Sequence, residues 1–136
     1  MIELVERPDE MTWEERRRWL ADAEAAASGG GATALSEQAI ALTVELQRCF
    51  CAGAWAAVLI LAGAIVDAQS LYAGFPFDRH SEDRAWLRSE RNRLMHEDRQ
   101  RPALTVEDLW LKEPERERAA KRATRLALVA LYAGGR

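Results

Sequence analysis

The chain has 136 residues, 49% of them hydrophobic, which is enough for one compact domain with its own core and too little for two. A formal net charge of −3 and a pI near 5.5 exclude a protein that coats nucleic acid through bulk electrostatics, because that mode needs a surplus of basic side chains on one face. Any nucleic acid has to be gripped locally.

Along the chain the pattern is helical throughout. Residues 1–7 are charged and carry no apolar signal-like core, which predicts a cytoplasmic protein. Over residues 8–27, Trp13, Leu20 and a run of alanines make a first amphipathic helix, with Asp9 and Glu10 suited to its positive first turn. Ser28-Gly29-Gly30-Gly31 ends it. Residues 35–51 predict a second helix, with Ser36 or Thr33 as its cap. Cys49 and Cys51 diverge by about 200° on that helix and cannot bridge, so they read as small reduced core residues. There is no second cysteine pair to complete a zinc site.

A third helix is expected over 54–72, nearly all apolar. The uncharged stretch 49–66 has the eighteen residues of a membrane span. Eight of those are Ala or Gly, Asp67 closes the run, and Ala52-Gly53-Ala54 offers a break, so a buried central helix is the better reading. Ala73-Gly74-Phe75-Pro76-Phe77 stops it. A fourth helix covers 81–96, with Ser81, Glu82 and Asp83 at its start. A loop follows over 99–102 and a short helical turn opens at Thr105-Val106-Glu107-Asp108. The fifth helix runs from Glu113 or Pro114 to Tyr132, with Ala119, Ala123, Leu126, Ala127 and Ala130 on one side. Nothing alternates like a strand, repeats, or resembles a glycine-rich phosphate loop. The expected fold is all-α: a single-domain bundle of about five helices, with an N-terminal helix and glycine-rich loop in 1–30 and the core bundle in 33–133.

The fourth helix carries the chemistry. At about 100° per residue, with Leu87 at zero, Leu94 falls at about −20°, Arg91 at about 40° and Met95 at about 80°. Arg91 therefore points with the apolar stripe, and a guanidinium aimed into packing must find an acceptor or an interface. Asp67 is the one charged residue between Arg48 and Asp78. An Arg91 to Asp67 ion pair would fix how helices three and four pack and hold Arg91 in one rotamer. His96, at about 180°, and Asn92, at about 140°, lie off that stripe. Arg91 and His96 can meet at one phosphate only if the helix end unwinds at His96, or if a second subunit supplies one of them.

Arg91 followed by polar Asn92, three further residues and His96, near the end of the penultimate long helix of a small helical chain, resembles the signature of the HEPN family. The resemblance covers the motif tightly and the helix order over residues 35–132 loosely. It implies a dimeric helical bundle. Many such proteins are metal-independent ribonucleases of toxin, antiphage or RNA-processing systems, and others are binding modules without catalysis. Cutting RNA without a metal needs a base for the 2′-hydroxyl proton and a cation for the phosphorane oxygens. His96 suits the first role and Arg91 the second. Asn92 would orient His96 or a phosphate oxygen, and Arg88, Arg93, Arg99 and Arg101 would receive the flanking backbone. No cofactor is called for. Family members that pair with a nucleotidyltransferase antitoxin carry a tyrosine two positions after the histidine, the residue that the antitoxin modifies; here that position is Asp98.

Two other readings stand beside this one. In a non-catalytic interaction module, Arg91 is a structural ion-pair partner, His96 a solvated helix-end residue, and exposed tryptophans among Trp13, Trp19, Trp86 and Trp110 mark a protein-binding surface. A metal site using His80, His96 and nearby acids is disfavoured, since the two histidines are sixteen residues apart across a helix start.

Overall fold

The computed structural model describes residues 4–30, 35–73 and 81–132, and all regular structure among them is helical. Six helices follow one another: α1 (Glu10–Ala27), α2 (Glu37–Ala52), α3 (Trp55–Ala73), α4 (Glu82–Met95), α5 (Val106–Leu111) and α6 (Glu113–Tyr132), with a 3-10 turn at Ser28–Gly30 after α1. The expected five helices are present, and the turn at Thr105 extends into the sixth. Thr33 and the Phe75-Pro76 stop lie outside the described residues.

Short polar residues set the starts. Asp9, Ser36 and Ser81 have extended backbones, and each side chain accepts the N–H three residues on, from Thr12, Ala39 and Arg84 respectively. Asp9 is thus the cap of α1 rather than a first-turn residue. Thr105 and Asp108 form a reciprocal capping box, which lets six residues hold together as α5. Between α2 and α3 the chain reverses at Gly53, whose φ of 80° lies in the left-handed region that favours glycine. Arg16 reaches over from α1 to seal this corner. Its Nη1 donates to the Cys51 carbonyl at 3.1 Å, and its guanidinium stacks 4.8 Å from the Trp55 ring centroid. A cation there also meets the negative end of α2.

α3 is the central helix, packed mainly between α2 and α6. Trp55, Val58, Ala62 and Ile65 are fully buried along it. α6 presents Ala120, Ala123 and Ala127 to that face, and these small side chains let the two helices approach closely. Trp19 of α1 stacks on Phe50 at 5.0 Å, and Phe50 meets Trp55 edge-on at 5.2 Å. The buried Trp55 indole is satisfied by Glu113, to which its Nε1 donates at 2.8 Å. Cys49 and Cys51 are free thiols, and burial raises the pKa of both. No helix among the described residues is long and apolar enough to cross a membrane.

α4 is held more lightly. Leu87 is its one buried residue. On its α6 side, Arg122 bonds Asp83 at 2.9 Å and lies 4.0 Å over the Trp86 ring. Its other flank faces α3 and carries the residues of interest.

Candidate functional site

The α3-facing flank of α4 is basic. Arg84, Arg88 and Arg91 share a wall with Leu87, and Gly63, Val66 and Asp67 of α3 form the opposite side. The spacing explains this, because residues four and seven apart return to one helix face. On α3, Gly63 and Asp67 are likewise one turn apart.

Arg91 lies across this seam. Its Nη1 donates to Asp67 Oδ2, closing an ion pair between α4 and α3. The side chains are 29% and 48% exposed respectively, so the pair sits at the mouth of the cleft rather than in the core. The Arg91 stem passes directly over Gly63, where an added Cβ would stand 2.9 Å from Arg91 Cδ and 3.7 Å from its Cβ and Cγ. Only a residue without a side chain leaves that path open. Among the described residues Arg91 makes no other hydrogen bond, so Nε and Nη2 stay available to a ligand while Asp67 fixes the far edge.

The cleft is shallow. Its volume is about 20 Å³, room for about one water molecule, and it is open to the surface. Three guanidinium groups and one carboxylate surround it, which makes it a local positive site on an acidic chain.

The other expected residues are distributed unevenly. His96 caps the C-terminus of α4 in an extended conformation (φ −123°, ψ 125°), and its N–H bonds the Asn92 carbonyl. The helix therefore ends one residue before His96, which leaves the helical projection. His96 is exposed and does not line the cleft. Asn92 is exposed as well, and its side chain makes no hydrogen bond among the described residues, so the orienting role expected of it toward His96 is absent within one chain. Arg88 lines the cleft as expected. Arg93 does not: it pairs with Glu90 at 3.2 Å and faces a separate cavity of about 280 Å³ with Trp55, Leu94 and Leu104. Arg99 and Arg101 are exposed in the following loop, away from the cleft. Asp98, two positions after His96, organises that loop by accepting the N–H groups of Gln100 and Arg101 at 3.0 and 3.2 Å.

Two cleft residues escaped the sequence reading. Arg84 stands seven residues before Arg91 and could have been found by extending the Arg91 stripe back two turns. Gly63 is one turn before Asp67, but nothing local marks it as the crossing point of an arginine. His80 lies outside the described residues, and among those described no cluster of three or more His, Cys, Asp or Glu side chains is placed to hold a metal.

The tryptophans divide. Trp55 is core. Trp19 and Trp86 are half-buried under basic side chains, Trp19 beneath Lys121 and Arg125 and Trp86 beneath Arg122. Both are therefore seam residues rather than free surface. Trp13 is marginally exposed, and Trp110 on α5 stands out at 69%.

No family model, curated protein or solved structure matches this chain.

Proposed function

We propose that this chain is a HEPN-like, metal-independent endoribonuclease that works as a homodimer on cytoplasmic RNA, in a toxin, antiphage or RNA-processing setting. The observation that carries the reading is Arg91, laid over Gly63 and tied by one donor to Asp67, with the rest of its guanidinium facing the mouth of a basic cleft. A preoriented cation of this kind matches the need of a phosphorane, whose charge builds on oxygens that a guanidinium edge can fork. In the reaction His96 takes the 2′-hydroxyl proton, the 2′-oxygen bonds to phosphorus, and the bond to the 5′-oxygen breaks. The leaving oxygen takes up a proton, and the products are a 2′,3′-cyclic phosphate and a 5′-hydroxyl.

The dimer enters because Arg91 and His96 face different ways on one chain. Arg91 lies one turn before the end of α4, and His96 follows that end in an extended conformation. A two-fold axis beside α4 sets the partner's His96 against the first protomer's Arg91. The part of α3 adjoining the cleft supports such a seam: Ile60, Ala64 and Ala68 are half-buried and apolar there, and Met95 of α4 is exposed one turn beyond Arg91.

The test is incubation with mixed single-stranded and transfer RNA in chelator. Wild-type protein should cleave and leave cyclic phosphate ends, while Arg91→Ala and His96→Ala should each fall by about 10²-fold or more. Folded, dimeric wild-type protein that cuts nothing would sink the reading.

One observation favours a second reading. Trp110 and Leu111 are largely exposed on α5 together with Val106, which suits a non-catalytic helical module that docks another protein. Loss of binding to a partner on Trp110→Ala, with no nuclease activity in the parent, would select it.

A further inference from the structure

The cavity on the other flank of α4, separate from the Arg91 cleft, has a volume of about 280 Å³ and is bordered by α3, α4, α5 and α6. It exists because α5 spans without filling. None of the six residues of α5 is buried, and the Thr105–Asp108 capping box holds them as a short helix beside α6. Ala56 of α3 and Ala119 of α6 are small where larger side chains would close the space, and Trp55, Leu59 and Leu94 complete an apolar lining.

Most of the charged side chains around this cavity are engaged with each other. Glu90 pairs with Arg93 at 3.2 Å, and Asp108 accepts the Thr105 N–H at 3.0 Å and pairs with Lys112 at 3.4 Å. Glu115, the remaining acid of the lining, is exposed to solvent. Arg116 differs from these. Its side chain is only 17% exposed, and its one ion-pair partner among the described residues is Glu113 Oε2 at 4.0 Å, too far for a hydrogen bond. The other Glu113 oxygen is taken by the Trp55 indole. The Arg116 guanidinium therefore lines the cavity with its donors unclaimed, on a side chain largely withdrawn from water.

We propose that this cavity binds a small organic anion with an apolar body, an aromatic or branched carboxylate, whose apolar part lies against Trp55, Leu59 and Leu94 while Arg116 forks the carboxylate. A cavity of about 150 Å³ admits benzene, so about 280 Å³ has room for a ring with a short acid chain. A carboxylate suits the guanidinium because two parallel charge-assisted hydrogen bonds satisfy its fork, and partial burial strengthens them. Glu90 and Asp108 oppose the anion little, since each already faces its own cation. The site stands independently of the ribonuclease reading.

The test uses the full chain and two probes of one shape, phenylpropionate and its neutral amide, titrated against the indole N–H resonances of isotope-labelled protein. Phenylpropionate should bind with a Kd in the millimolar range or tighter and shift the Trp55 signal, while the signals of Trp13 and Trp86, which do not line the cavity, stay in place. The amide should bind about tenfold more weakly. Arg116→Gln should bring the acid down to the level of the amide. Ala119→Leu fills the space without touching a charge and should abolish binding of both probes, a check that stands even if the Arg116 variant fails to fold. Arg118→Gln removes an exposed cation of α6 outside the cavity and should bind as wild type does. Equal affinity for acid and amide, an equal loss in Arg118→Gln, undiminished binding in Ala119→Leu, or a Trp55 signal that does not move at millimolar probe would each overturn the site.

Discussion

An added methyl group at Gly63 would stand 2.9 Å from Cδ of Arg91, closer than a side-chain carbon and its neighbour can sit. The glycine gives up helix propensity in the middle of the core helix, roughly 1 kcal/mol relative to alanine. It gains a track along which one particular arginine reaches Asp67. Packing, propensity and the candidate chemistry therefore meet at one backbone position.

Gly63→Ala should separate these effects. The helix gains from alanine while Arg91 is pushed off its track, so the melting temperature should change little, and RNA cleavage should drop about tenfold or more as the guanidinium loses its place. Thermal melts paired with initial rates check this. A full-rate Gly63→Ala enzyme would show that Arg91 acts from elsewhere.

Asp67→Asn keeps the shape and removes the charge. The pair is partly exposed, so the expected cost is about 1 kcal/mol, or roughly 4 °C in Tm for a domain of this size. Activity should fall with it, because Arg91 is no longer held in one rotamer. Arg91→Lys should preserve much of the stability and little of the rate, since an ammonium can pair with Asp67 but cannot fork a phosphate. Equal melting temperature and equal rate for Asp67→Asn would contradict the role given to the pair.

Mixing inactive Arg91→Ala and His96→Ala proteins tests the composite site. If each site joins Arg91 of one protomer to the partner's His96, statistical exchange restores about a quarter of wild-type activity, because half the dimers are mixed and each holds one intact site. Light scattering at micromolar concentration should give a dimer. A monomer, or mixtures that stay inactive after subunit exchange, would remove the composite geometry.

Acid should loosen α5 before the rest. Hydrogen bonds from the Thr105 cap, then Lys112, hold the Asp108 carboxyl below its ordinary value. A depressed carboxylate stabilises the fold above the unfolded-state pKa near 4, and that contribution is lost as pH falls through the lower folded value. As pH falls below about 4 the capping box should therefore open. Amide exchange over Val106–Leu111 should quicken in that window, and Asp108→Asn should blunt the effect. Protection that collapses together across α3 and α5 would instead mean global unfolding.

The helix starts were legible because the signals are local. Ser36, Ser81 and Thr105 each sit beside the N–H groups they satisfy, and Gly53 marks its own reversal of the chain. The apolar character of α3 marked it as the core, and the Arg91 angle asked for an acceptor on a neighbouring helix. Asp67 was the available acid. The reach of the cleft was less legible: Arg93 looked as suitable as Arg88, and it faces the other cavity because a small rotation of α4 decides which arginines turn toward α3.

By itself the sequence determined the class of fold, most of the helix starts and the two residues of the ion pair, since capping chemistry and helical periodicity act within a few residues. Only the tertiary structure decided that Arg91 crosses α3 at Gly63 and that Arg84 shares its wall while Arg93 does not. These depend on how two helices rotate and slide against each other. That arrangement is set by the summed packing of Leu87, Val66 and the alanines of α6, and no short window of sequence contains it.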